Sequence, residues 1–129
     1  MNALLFAVVL ATTSLFNHYE GVRQALLKGS VADVQRSAKA LADAAQAEKQ
    51  PAIAGRARDV ASATTLKAAR ESFAALSNEM IRYREGRGGD RPVVAYCSME
   101  KKSWLQPQGA IANPYVDAAM RSCGEIKAR

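Results

Sequence analysis

Leu66, Ala69, Phe73, Leu76, Met80 and Tyr83 recur at intervals of three and four residues, so a helix through them gathers all six on one stripe. A strand alternates its side chains at a period of two and could not gather them. A stripe this long commits the chain to a helical layer whose apolar face must be covered by other elements. Thr64 or Thr65 stands in front of it as a cap for the free amides of the first turn. Met80 falls inside the stripe, and that place reads as core, not as a ligand.

Three earlier segments supply the cover. Leu15, Tyr19, Val22 and Leu26 mark a first helix over 15–28, which Gly29 stops. Ser30 caps a second helix with Asp33 in its first turn. Val31, Val34, Ala38, Leu41 and Ala45 line one face of it, and Asp33, Arg36, Lys39 and Asp43 the other. The link between these helices is so short that they must pack antiparallel. After the polar stretch 46–50, Pro51 opens a third helix over 51–62 with Ile53, Ala57 and Val60 inward and Gly55 weakening its middle. Abundant Ala and only 6% aromatic residues suit close helix packing better than sheet.

Gly86-Arg87-Gly88-Gly89-Asp90-Arg91-Pro92 breaks the helical pattern. No strand-to-helix signature surrounds it, so it reads as a flexible turn and not as a phosphate loop. Val93-Val94-Ala95-Tyr96-Cys97 is β-prone, and an irregular stretch with Trp104, Pro107 and Gly109 follows. Asn113-Pro114 has the form of an N-cap with Pro at the first helical position, which predicts a last short helix from 114 to 122 or 123, ended by Gly124. The expected fold is mainly α: an antiparallel four-helix bundle over 15–85 with a C-terminal cap over 92–129, made of a short extended segment and a short helix. At 129 residues this is one domain.

The first sixteen residues carry no charge. Leu4-Leu5-Phe6-Ala7-Val8-Val9-Leu10 resembles the apolar core of a signal peptide, and Ala11-Thr12-Thr13-Ser14 supplies small residues for cleavage, although a basic start is missing. Residues 1–14 therefore read either as a signal-peptide remnant, which makes the protein exported, or as the start of the first helix. The run is too short to span a bilayer comfortably, so the chain is not expected to be transmembrane. The net charge of +6 is spread over Arg23, Lys28, Lys39, Lys49, Arg56, Arg58, Arg82, Arg84, Arg87 and Arg91 among others. Most have acidic neighbours and no recognition motif accompanies them, so they read as solvated helix faces and no nucleic-acid partner is expected.

No catalytic motif stands out. The one histidine, His18, is far in sequence from both cysteines, and no HExxH, GxSxG or phosphate loop occurs. An enzyme is not expected. The last third, however, concentrates sulfur: Cys97-Ser98-Met99 and Met120-Arg121-Ser122-Cys123. Residues two apart share a side of an extended segment, and residues three apart share a face of a helix. If the final helix folds back, Cys97, Met99, Met120 and Cys123 converge. Thiolate and thioether are soft donors that select copper(I), with silver(I) as the next candidate. Zinc takes more thiolate or imidazole, and calcium wants oxygen. His18 is a further candidate ligand, and Lys101 and Lys102 stand near enough in sequence to favour a Cys97 thiolate. Trp104 and Tyr115 are packing residues that would shield such a site. An even cysteine count equally permits a Cys97–Cys123 disulfide with no metal bound.

Tyr96-Cys97-Ser98-Met99, Trp104-Leu105-Gln106, Ile111-Ala112-Asn113-Pro114-Tyr115 and Met120-Arg121-Ser122-Cys123-Gly124-Glu125 together resemble a bacterial periplasmic domain of unknown function. That domain is found alone or attached to the periplasmic adaptor subunits of copper and silver efflux pumps. His18-Tyr19, Ala38-Lys39-Ala40-Leu41 and Ala69-Arg70-Glu71-Ser72-Phe73 resemble its helical part, so the likeness runs over 15–127. The family pattern has Pro where this chain has Ser98, and often Gly where it has Asp117. The resemblance implies periplasmic residence, a helical bundle and a part in copper handling or resistance. It also suggests a heavy-metal efflux adaptor or another envelope protein as partner, which a helical interaction module with a structural disulfide would serve as well.

Overall fold

The computed structural model describes residues 14–129; the uncharged run up to residue 13 lies outside them. Helices α1 (Leu15–Lys28), α2 (Val31–Ala47), α3 (Pro51–Ala61) and α4 (Leu66–Glu85) follow in series. Their ends are set by local chemistry. Ser14, Ser30 and Thr65 accept the amide protons of Asn17, Asp33 and Ala68 at the N-termini of α1, α2 and α4. Gly29 takes a left-handed conformation (φ 77°) and turns its N–H back onto Ala25 and Leu26, which reverses the chain into α2. The stripes named above face one another: Leu15, Tyr19, Val22, Leu26, Val34, Leu41, Ile53, Val60, Phe73, Leu76 and Met80 are all buried in one core.

The C-terminal part departs from the expectation. No helix forms over 114–122. The chain builds a three-stranded antiparallel sheet from β1 (Val93–Cys97), β2 (Lys102–Gln106) and β3 (Glu125–Ala128), in the order β2-β1-β3. Only a 3₁₀ turn, Ala118–Met120, remains of the expected helix. The fold is therefore mixed α+β and not a pure helical bundle. The cause lies at Asn113. Its Oδ1 accepts the Tyr115 N–H at 2.8 Å, as a helix cap would, but its Nδ2 donates to the Cys123 carbonyl (2.8 Å) and its own N–H to the Arg121 carbonyl (2.8 Å). These bonds draw the chain into a closed loop. Asp117 is extended (ψ 165°), which ends any helical continuation from Pro114.

Polar side chains then fasten sheet to helices. β2 is an edge strand, and its outward groups are taken up by buried hydroxyls. The Leu105 N–H donates to Tyr19 Oη (3.1 Å), Tyr19 and Ser77 hydroxyls meet at 2.6 Å, Tyr115 Oη lies 3.1 Å from Ser77 Oγ, and Tyr115 donates to the Ser103 carbonyl (2.5 Å). A tyrosine has one proton to give, so the donation runs one way, from the Leu105 N–H through the Tyr19, Ser77 and Tyr115 hydroxyls to the Ser103 carbonyl, which accepts. Burial holds both tyrosine hydroxyls well above their ordinary pKa, so both stay protonated.

Arginines do the same work. Arg23 and Arg84, read from the sequence as solvated, are buried. Arg23 donates to the Ala112 carbonyl (2.8 Å) and Arg84 to the Pro92 carbonyl (2.7 Å). Arg70 reaches the Val116 carbonyl at 3.1 Å, and Arg121 the Leu27 carbonyl. Each joins a helix to the irregular C-terminal chain through a carbonyl that lacks a backbone partner.

Candidate metal centre

Cys97 closes β1 and is fully buried. The chain turns immediately after it, over 98–101, and Lys101 takes the left-handed conformation (φ 55°) that lets β2 begin. The segment carrying Met99 is thus a hairpin turn, not the extended continuation expected. The backbone N–H of Glu100 folds back to donate to Cys97 Sγ at 3.4 Å. Met99 points into solvent, 62% exposed. Lys102 stands directly across the hairpin from Cys97.

Cys123 arrives from the other side. β3 pairs with β1 through Ala95↔Ile126 and Tyr96↔Glu125, and the antiparallel register carries the residues just before Glu125 to the end of β1 where Cys97 lies. Gly124 makes this approach feasible. A Cβ there would fall 2.7 Å from Trp104 Cη2 and 3.2 Å from the Tyr96 carbonyl oxygen, and its φ of 152° suits glycine alone. Gly124 does not end a helix, as its place in the sequence suggests, but lets the chain pass against the buried Trp104 indole. Asn113 holds the Cys123 carbonyl, and Gln106 fixes the loop before it, accepting from Trp104 Nε1 (3.0 Å) and Ala112 N–H (3.2 Å).

The register thus makes Cys123 a neighbour of Cys97, packed against the core that Cys97 belongs to. Partial burial raises the Cys123 pKa first, and the neighbouring Cys97 raises it further. Both cysteines are free, and no disulfide joins them. Trp104 and Tyr115 pack edge to face at 6.1 Å, both buried. Tyr115 is close enough to Cys97 for the sulfur's charge to act on its hydroxyl.

The other sulfur atoms stay outside. Met120 sits in the 3₁₀ turn and its carbonyl accepts the Cys123 N–H at 2.9 Å, but its side chain is 41% exposed. His18 is half-buried on α1. Among the described residues no group of three or more His, Cys, Asp or Glu converges as a metal cage. The donor set brought together is therefore the Cys97 and Cys123 thiols, with two thioethers placed beside them in the chain. Such a set fits a soft monovalent cation and lacks the further thiolate or imidazole that a structural zinc site uses.

No family model matches this chain, and neither does any curated protein or solved structure. No helix among the described residues is long and apolar enough to cross a membrane.

Proposed function

We propose that this protein binds copper(I), and in its place silver(I), in the bacterial periplasm, and takes part in copper handling or resistance. The observation that carries the reading is that the antiparallel pairing of β3 on β1 brings Cys123, just ahead of β3, to the end of β1 where Cys97 lies. Two neighbouring thiols that each give up a proton leave a bis-thiolate, which is a soft chelate for copper(I). Met99 and Met120, both exposed, lie beside this pair in the chain and are not part of the chelate. Export is supported by the uncharged N-terminal run, and an efflux adaptor as partner by the family resemblance over 15–127.

The test is a titration of reduced protein with copper(I) against bicinchoninate. The expected result is one tightly held ion per chain, lost in the Cys97→Ser, Cys123→Ser double variant. No uptake by the wild type, or uptake unchanged in the double variant, ends the proposal.

The same meeting of thiols favours a second reading, a helical interaction module whose Cys97 and Cys123 become bridged after export and hold no metal. Such a bridge would close a loop of 25 intervening residues and stabilise by about 3 kcal/mol in the chain-entropy model. A thiol count on protein taken from the envelope separates the two: two reactive thiols per chain exclude a permanent bridge.

A further inference from the structure

We propose that the Met99 and Met120 thioethers are the point at which soft metal enters and leaves this protein, and that the two thiols, not the thioethers, hold it. This rests on the copper(I) reading of Cys97 and Cys123.

Exposure is graded along the sulfur atoms. Met99 and Met120 are the exposed large hydrophobic residues of the described chain, at 62% and 41%. Cys123 is half-buried and Cys97 fully buried. Met80, by contrast, is wholly inside the helical core, so methionine in this protein is not simply a surface filler. The two exposed methionines flank the cysteines: Met99 in the turn directly after Cys97, Met120 bonded through its carbonyl to the Cys123 N–H. Neither packs its side chain against the core, so both side chains are open to a partner in solution.

Their chemistry differs from that of the thiols in a useful way. A thioether is neutral and has no proton to lose, so it can meet copper(I) at once. A thiol must first release its proton, and Cys97 is fully buried where Met99 is 62% exposed. Delivery from a copper(I) complex then balances without any change of oxidation state. The donor's ligands leave, thioether contact is made and given up, Cys97 and Cys123 each pass a proton to solvent, and both sulfurs bind the ion. Departure is the reverse. The partner implied is a carrier that holds copper(I) through soft ligands and can touch an exposed turn.

The experiment follows copper(I) transfer from its bicinchoninate complex by stopped flow, in wild type and in a Met99→Leu, Met120→Leu variant, which keeps volume and apolar character. The expected result is a transfer rate lowered about tenfold with the equilibrium affinity unchanged. In a second measurement, on the Cys97→Ser, Cys123→Ser variant with methionine methyl groups labelled, silver(I) should move the Met99 and Met120 methyl resonances and leave Met80 in place; no movement overturns the proposal. A variant that loads as fast as wild type overturns the proposal. So does a variant whose affinity falls in step with its rate, because the methionines would then be resident ligands. Wild type that takes up no copper(I) overturns the reading of the thiols themselves, which is a different and visible failure.

Discussion

The helical body and the C-terminal sheet are held together by different kinds of force. In α1 to α4, apolar side chains at helical spacing meet across a common core, and the ends are closed by hydroxyl caps and one left-handed glycine. In the part beyond the Gly-rich turn, irregular chain is fixed by side chains that bond directly to the backbone: Asn113, Gln106, Arg23, Arg70, Arg84, Tyr19 and Tyr115. The first kind of force is spread over many residues and tolerates change at most of them. The second is concentrated in a few hydrogen bonds whose loss leaves a buried carbonyl or amide without a partner. The sulfur pair sits in the second region. Its geometry thus depends on a few hydrogen bonds as well as on the core that Cys97, Trp104 and Tyr115 share with the helices.

Substitutions should divide along this line. Phe73→Ala, in the middle of the body, removes a ring that stacks on Tyr19 at 4.8 Å and should cost about 3–5 kcal/mol, read as a shift of the whole denaturant transition. Gly124→Ala should cost less, about 1–3 kcal/mol, because the new Cβ meets the Trp104 ring and a backbone φ that disfavours it. Its effect on copper(I) affinity should exceed its effect on helix content, which circular dichroism beside the titration will show. A loss of helix signal equal to that of Phe73→Ala would mean that the two regions are not separable.

Tyr115→Phe tests the hydrogen-bonded seam. At neutral pH it should destabilise by about 1–2 kcal/mol through the Ser103 carbonyl it abandons. At high pH the sign works in its favour. Tyr115 and Tyr19 have pKa values raised above the ordinary 10.0 by burial, so above that pH the unfolded chain loses protons that the folded chain keeps. The unfolded state then binds fewer protons, and stability falls as pH rises past 10.0, by about 1.4 kcal/mol per pH unit for each such tyrosine. The variant should show a shallower alkaline decline than the wild type. The smallest effect belongs to Thr65→Ala, which removes a cap from α4 at a cost of about 1 kcal/mol and should leave copper(I) affinity untouched.

What could be read from the sequence follows the same division. Periodicity is visible in a string of letters, and the stripes of α1 to α4 and the β-prone Val93-Cys97 run all appear where their spacing puts them. β3 has no such mark: Glu125, Lys127 and Ala128 are exposed and only Ile126 is partly covered, so no alternation shows. β2 buries Trp104, Leu105 and Gln106 in succession, with the Gln106 amide bonded to the loop, which hides the alternation there too. Asn113-Pro114 does begin as a helix cap begins. What defeats the helix is a set of bonds to Arg121 and Cys123 that only the folded loop supplies. Arg23 and Arg84 look like surface charges because nothing local reveals the distant carbonyls they reach. At the site, the sequence points to Cys97 and Cys123 approaching through a final helix, whereas it is the unforeseen β3 that carries Cys123 toward β1. The exposure of Met99 is not foreseeable either, because the strand that would have aligned it with Cys97 ends at Cys97, two residues too early.

The most direct test of the account is X-ray absorption at the copper edge of the reduced protein loaded with one equivalent of copper(I). A first shell made of sulfur alone, and abolished by Cys97→Ser, is the result expected. A shell containing nitrogen or oxygen, or one that survives the substitution, would show that the ion is held somewhere other than between the two thiols.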